Sequence, residues 1–293
     1  MNFKGISYYL GLFCFPISIL AFINILYSSY FDYFLSINSY VSTLIISLII
    51  GSFLTFIGKK SSKRINFIEQ LILILSVYFL ISFLISIPFY LGNYQVTLIN
   101  SFFESVSGLT GTGFSIFKNI KYLDPTLILW RSSSQWLGGL YFLVFLVIIF
   151  SNNQYNFRLN HLVYTANMGS FSKSNFKNVL LQLFLLYSLL TILIFIILNF
   201  GNVRLFNSLN LSMTIISNGG FLPTNNLSQI FSIDTHYILA IVLLIPTLNI
   251  FLLLNIFNKK KLINNHQEDL YIIIFIFILS LVMFYSLNNL SLS

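Results

Sequence analysis

SGLTGTGFS, residues 107–115, has the glycine, serine and threonine content of a solvated turn, yet long apolar runs flank it on both sides. Glycine suits such a stretch because it adopts backbone dihedrals that other residues avoid. In hydrocarbon, each backbone group without a hydrogen-bond partner is costly. A stretch of this kind therefore persists within a membrane only where protein encloses it or where it lines an aqueous cavity.

The composition of the chain identifies it as a membrane protein. Of its 293 residues, 57% are hydrophobic and 8% are charged, with a mean hydropathy of +0.88, whereas about a quarter of the residues are charged in soluble domains. Runs long enough to cross a core about 30 Å thick occur near residues 6–29, 38–58, 66–92, 126–150, 178–200, 236–257 and 269–287. We therefore expect an all-α polytopic membrane protein with about seven transmembrane helices.

The positive charges predict the orientation of these helices. With the N-terminus in the cytoplasm, the inside residues are Lys4, Lys59, Lys60, Lys63, Arg64, Arg158, Lys173, Lys177, Lys259, Lys260 and Lys261. The outside residues are Lys118, Lys121, Arg131 and Arg204. This distribution follows the positive-inside rule and puts the C-terminus outside. Because the charges lie in short loops between apolar runs, the net charge of +8 does not indicate nucleic-acid binding.

An internal repeat accompanies the glycine stretch. Residues 100–114, NSFFESVSGLTGTGF, align without a gap on residues 207–221, NSLNLSMTIISNGGF. The identical pairs are Asn100/Asn207, Ser101/Ser208, Ser105/Ser212, Gly113/Gly220 and Phe114/Phe221. Each copy lies between two long apolar runs, so the pattern predicts two units of helix, short segment, glycine turn and helix.

The short segment of the first unit, residues 98–109, has apolar residues at helical spacing. A helix of this length measures about 18 Å, too short to cross, so it must be re-entrant. Its C-terminal end carries partial negative charge that favours a cation at the turn, where carbonyl oxygens can replace a hydration shell. The candidate filter residues are Thr110, Gly111, Thr112, Gly113, Phe114, Ile216, Ser217, Asn218, Gly219 and Gly220. The alternative is that both turns are ordinary loops between membrane helices.

Two motifs resemble a known family. FFESVSGLTGTGFSIF (102–117) and LWRSSSQWLGGL (129–140) resemble the pore segment FExxSGxTTTG and the motif WRxxxQWxGGxG of the Trk/Ktr superfamily of potassium and sodium transporters. SNGGF (217–221) is similar to the second pore segment of that family, NNAGF. The chain departs from the patterns at Tyr141, where the last glycine would fall, and at Gly111, which replaces a threonine.

The resemblance implies a K+ channel-like architecture, in which four such units surround one pore after two extra helices. It assigns residues 1–65 to two N-terminal transmembrane helices, 66–150 to a first pore unit, 175–258 to a second, and 259–293 to the first helix of an incomplete third. Three interpretations remain open. The chain is half of a transporter completed by a second polypeptide, it pairs with a second copy, or it is a non-conducting truncated remnant.

The resemblance also implies residue roles. The filter carbonyls would coordinate dehydrated K+, with glycine at 113 favouring potassium over sodium. Glu104, an acid within an apolar segment, either attracts ions or braces the short helix. Arg131 and Gln135, four residues apart on one helical face, would brace the filter from outside.

The remaining charged residues and histidines bear on partners and on chemistry. The run Lys259–Lys261 is either a topology anchor or a docking site for the cytosolic nucleotide-binding ring that the family implies. His161, His236 and His266 have no metal-ligand spacing, and the sequence has no phosphate loop, catalytic triad or zinc signature. We therefore expect no enzyme activity and no cofactor. The expected environment is the lipid of a bacterial inner membrane, and the expected transported ion is K+.

Overall fold

The computed structural model describes residues 1–33, 36–60, 65–150, 173–231 and 236–247, together with residues 250, 253, 271, 274, 275 and 278. Within the five continuous ranges, the regular elements are helices. They are α1 (Phe3–Tyr30), α2 (Ile37–Gly58), α3 (Phe67–Leu91), α4 (Leu98–Thr110), α5 (Pro125–Phe150), α6 (Lys173–Phe200), α7 (Leu205–Ile216) and α8 (His236–Leu244). The predicted all-α class is confirmed.

Five of these helices, α1, α2, α3, α5 and α6, are long and apolar enough to cross a membrane. They coincide with the first five predicted crossings, and helices are favoured there because all backbone groups pair within the segment. The sixth predicted crossing is described only as α8 and a 3-10 turn, Ile245–Thr247. The seventh, with the 259–293 segment, lies almost entirely outside the described residues.

The chain divides into two compact units. The first comprises Met1–Tyr155 and Tyr187–Pro246, and the second comprises Asn156–Leu186 and Thr247–Ser293. In the second unit, the described continuous stretch is the N-terminal part of α6. The predicted filter residues all belong to the first unit.

Tight contacts assemble the first unit around α5. The indole Nε1 of Trp130 donates to the carbonyl of Ile85 on α3 (3.1 Å), and the hydroxyl of Tyr141 donates to the carbonyl of Phe13 on α1 (2.6 Å). Helix α5 also packs against the two short helices, α4 and α7. It is therefore the helix from which side chains can reach both short elements.

The predicted repeat is visible in the helix bounds. Helix α4 begins at Leu98 and α7 at Leu205, the same offset of 107 residues that aligns the two sequence copies. Each short helix follows a helix long enough to span a membrane, α3 or α6. With 13 and 12 residues, α4 and α7 reach about 20 Å at 1.5 Å per residue, less than a bilayer core.

Candidate functional site

The chain after α4 turns back alongside that helix. In this first loop, residues 111–124, the Phe114 carbonyl accepts from the Ser107 hydroxyl (2.5 Å) and the Ile116 N–H donates to Glu104 Oε2 (2.8 Å). Residues further along the loop thus lie beside residues progressively nearer the start of α4. This doubling back is the geometry expected of a re-entrant element, and it gives polar backbone groups of the loop hydrogen-bond partners within the protein.

Two glycines make the turn of the first loop. Gly111 ends α4 with φ +70°, and Gly113 has φ +77°, a left-handed region that side chains disfavour. The Gly111 N–H donates to the Gly108 carbonyl and the Thr112 N–H to the Ser107 carbonyl, both at 3.1 Å. These bonds close the end of α4, as in a C-terminal capping motif.

The second loop, residues 217–231, repeats this turn at equivalent positions. The Asn218 N–H donates to the Ile215 carbonyl (2.9 Å) and the Gly219 N–H to the Thr214 carbonyl (2.8 Å). Asn218 has φ +50°, matching the left-handed Gly111 found 107 residues earlier. Asparagine is one of the few residues that tolerate this conformation. The repeat therefore extends from helix bounds to individual hydrogen bonds.

The two loops meet at their glycines. A Cβ on Gly113 would lie 2.7 Å from Gly220 Cα, and one on Gly220 would lie 3.0 Å from Gly113 Cα. Further along, the Ile120 N–H of the first loop donates to Asn225 Oδ1 of the second (2.6 Å). The structure thus brings together the two groups of predicted filter residues. Among them, the exposed ones are Thr110, Thr112, Phe114, Asn218 and Gly220.

A buried ion pair lies behind the first loop. Arg131 Nε is 2.9 Å from Glu104 Oε1, and both side chains are almost completely buried. The carboxylate also accepts from the Ser115 hydroxyl (3.0 Å), which in turn accepts from Arg131 Nη2 (2.9 Å). Burying two charges is favourable only with such additional hydrogen bonds. The pair fixes α4, the first loop and α5 relative to one another.

Arg131 also contacts the second loop. Its guanidinium carbon lies 4.2 Å from the centroid of the Phe221 ring, and Nη1 is 3.5 Å from the Leu222 carbonyl oxygen. One turn further along α5, Gln135 Oε1 accepts from the Phe221 N–H (3.2 Å). Both residues predicted to brace the filter therefore reach the second loop, and Arg131 reaches both loops.

The glycines of the WLGGL motif allow α5 to approach the ends of both short helices. A Cβ on Gly138 would collide with the backbone at Leu109, lying 2.7 Å from its carbonyl carbon. A Cβ on Gly139 would lie 2.9 Å from Ser217 Cβ. Tyr141, which departs from the family pattern, lies beyond these contacts and bonds to α1 as described above.

Several contacts at this site could not be predicted from any motif or spacing in the sequence. Ser115, Asn225 and Leu222 bond to groups far away along the chain, and such pairs depend on the tertiary arrangement. For metals, the described residues contain no group of three or more His, Cys, Asp or Glu that could hold an ion. His161 and His266 lie outside those residues.

Five helices long and apolar enough to cross a membrane, with two matching short helices and loops between them, define a polytopic membrane protein. Residues 36–257 match the family described as TrkH, cation transport protein. The chain belongs to this family, which confirms the resemblance drawn from its motifs.

Similar proteins include transporters from bacteria and an archaeon. An uncharacterized cation transporter of Methanocaldococcus jannaschii is 26% identical over 230 residues, 76% of this chain and 46% of that protein. The Trk system potassium uptake protein TrkH of Escherichia coli K12 is 26% identical over 219 residues, covering 72% and 45%.

A solved structure shares the fold. The crystal structure of the potassium transporter TrkH from Vibrio parahaemolyticus matches with a TM-score of 0.71 at 21% identity, over 85% of this chain and 50% of that one. The chain spans about half the length of the relatives it matches.

Proposed function

We propose that this chain contributes to potassium uptake across a bacterial inner membrane as part of a Trk-type system, and that its two loops form part of a backbone-carbonyl selectivity filter. The observation that carries the proposal is the meeting of two equivalent loops at Gly113 and Gly220, each at the C-terminal end of a short helix. The family and the relatives named for potassium uptake support the choice of ion.

The chemistry of the loops suits a dehydrated monovalent cation. The C-terminal ends of α4 and α7 bring partial negative charge to the loops without a buried formal charge on the ion path. Carbonyl oxygens from residues 110–114 and 216–220 would replace water around K+. Glycine at 113 and 220, the pattern associated with potassium in this family, lets two backbones approach closely.

Selection between K+ and Na+ requires carbonyls held in place. The Glu104–Arg131 pair supports this requirement because it anchors the first loop through Ile116 and Ser115. We assign Glu104 to this bracing role and not to direct attraction of ions, since its carboxylate accepts three hydrogen bonds from protein groups.

Two loops cannot surround an ion, so the filter needs further loops from outside the described residues. The exposed face of the first loop, with Phe114 70% exposed, is available to them. Their source would be further residues of a longer protein, a second polypeptide or a second copy of this chain. The second candidate function is therefore a half-subunit that conducts only after such completion.

The surroundings of the chain would be lipid, which covers the exposed apolar helices. The N-terminus would be cytoplasmic and the C-terminus outside. A cytosolic nucleotide-binding ring would act as regulatory partner. The run Lys259–Lys261, its candidate contact, lies outside the described residues.

The test is rubidium uptake, as a potassium tracer, in cells that lack their own potassium uptake. One set of cells expresses this chain alone, and another also expresses the C-terminal half of a relative. The matched control is Gly113→Asp, which puts a side chain and a charge where the loops meet. We expect rubidium uptake that is lost in the Gly113→Asp control. This uptake should occur in the first set of cells if the chain completes its own filter, and in the second set if it does not. Uptake that persists in Gly113→Asp would contradict a carbonyl path at this position.

A further inference from the structure

The side-chain amide of Gln135 lies directly against the second loop. Gln135 is on α5 and fully buried, and its Oε1 accepts from the Phe221 N–H at 3.2 Å. A Cβ added to Gly219 would collide with this amide, lying 2.5 Å from Cδ and 2.8 Å from Nε2. The amide therefore occupies the space that any side chain at position 219 would need.

The hydrogen bond constrains a neighbouring carbonyl. The Phe221 N–H belongs to the same peptide group as the Gly220 carbonyl, and a trans peptide is planar with these two groups pointing in opposite directions. By accepting from Phe221, Gln135 aims the Gly220 carbonyl away from α5. Gly220 is exposed and faces Gly113 of the first loop, so this carbonyl belongs to the proposed ion path.

The residues 107 positions after Arg131 and Gln135 are Ile238 and Val242 on α8. Neither side chain can accept or donate a hydrogen bond. The hydrogen bonds of Arg131 and Gln135 support the second loop from α5, the helix that follows the first loop.

We infer that Gln135 is a positioning residue that sets the direction of the Gly220 carbonyl, and that position 219 is glycine because the Gln135 amide requires its space. The inference deepens the proposed function and rests on it for its transport readout. It predicts that Gln135 affects the choice between K+ and Na+, and that residues 135 and 219 act as one unit.

The experiment is a double-mutant cycle with Gln135→Leu, Gly219→Ala and both together. Gln135→Leu removes the acceptor at similar volume, and Gly219→Ala pushes the amide away from Phe221. The control is Ser133→Ala on the same helix, where the buried hydroxyl donates to the Trp130 carbonyl of α5 itself (3.0 Å). Rubidium uptake is measured against competing sodium, and the unfolding temperature is measured on the purified proteins.

Each single variant should lose discrimination against sodium by about five-fold, the change expected when one hydrogen bond is lost. The double variant should be no worse than the more affected single variant, because both remove the same contact. Ser133→Ala should match the wild type. Unchanged discrimination in Gln135→Leu, or effects that multiply in the double variant, would overturn the inference.

The second readout separates this inference from the proposed function. If the wild type shows no selective uptake, either alone or with the C-terminal half of a relative, the proposed function fails, and the unfolding temperatures decide the inference. Non-additive shifts then support the contact between Gln135 and the second loop. Additive shifts contradict it.

Discussion

Gly113 and Gly220 lie against each other through their backbones, so that a Cβ on Gly113 would collide with Gly220 and a Cβ on Gly220 would be tightly packed against Gly113. They occupy equivalent positions in two copies of one sequence unit. The contact therefore joins the two copies of the internal repeat. It also makes Gly113 less tolerant of a side chain than Gly111, the other glycine with a positive φ among the described residues.

The two left-handed glycines of the first loop should respond differently to the same substitution. Gly111→Asn should retain rubidium uptake, because its equivalent, Asn218, adopts φ +50° and because a Cβ at 111 would lie 3.4 Å from the nearest atom, Ser217 O. Gly113→Asn should abolish it, because the Cβ would collide with Gly220. The uptake rates of the two variants at matched expression provide the comparison. Equal loss in both would show that φ, and not the loop contact, limits substitution.

Breaking the buried ion pair should destabilise the protein. Glu104→Gln leaves the Arg131 charge without its partner, and a loss of about 3–5 kcal/mol in the free energy of unfolding is typical of such changes. The double variant Glu104→Gln/Arg131→Met should recover part of this loss, because no uncompensated charge remains. The free energy of unfolding is measured in detergent for the wild type, the single variant and the double variant. The control, Lys118→Met in the exposed part of the first loop, should have a free energy of unfolding close to that of the wild type. A double variant less stable than Glu104→Gln would argue against the ion pair.

The close approach of α5 to α4 should depend on Gly138. In Gly138→Ala the new Cβ meets the Leu109 backbone, which cannot move aside without shifting the end of α4. We expect a loss of roughly 1–3 kcal/mol or more, the usual range for overpacking, read as a lower unfolding temperature. Gly5→Ala is the matched control, because the three atoms nearest its Cβ belong to the Asn2 side chain, so that it should cost no more than the hydrogen bond from the Gly5 N–H to Asn2 Oδ1. Similar unfolding temperatures for both variants would contradict the close approach.

The proposed orientation can be tested with single cysteines. Cys14, the one cysteine of the sequence, is buried and is first replaced by serine. Cysteine is then placed at Lys118 or at Lys59, both exposed, and intact cells are treated with a membrane-impermeant thiol reagent. Lys118→Cys should be labelled from outside, and Lys59→Cys only after permeabilisation. The reverse pattern would invert the topology.

The sequence predicted the main features of this fold because they depend on local patterns. Apolar run length located five membrane-length helices, and the offset between Asn100 and Asn207 gave the bounds of α7 relative to α4. The spacing of Arg131 and Gln135 placed both on one face of α5. The predictions that fall beyond residue 247, such as the seventh crossing and the incomplete third pore unit, concern residues that lie almost entirely outside the described part of the chain.

The partners of these side chains were not predictable in the same way. Nothing in the spacing of Arg131 indicates that its guanidinium spans from Ser115 to Leu222, or that Gln135 selects the Phe221 N–H. Those contacts depend on how closely α5 crosses α4 and α7, which Gly138 and Gly139 permit. Whether the loops discriminate between ions likewise depends on carbonyl directions that only the tertiary structure determines.

The most direct test of the central claim is competition during rubidium uptake by the assembled system, with this chain expressed together with the C-terminal half of a relative. Potassium in excess should suppress rubidium entry, and the same concentration of sodium should leave it nearly unchanged, because the carbonyl sites would fit the larger dehydrated ions. The Gly113→Asn variant should show no rubidium entry above background, with or without competing ions. In the wild type, equal suppression by sodium and potassium, or no rubidium entry above background, would contradict a potassium filter built on these two loops.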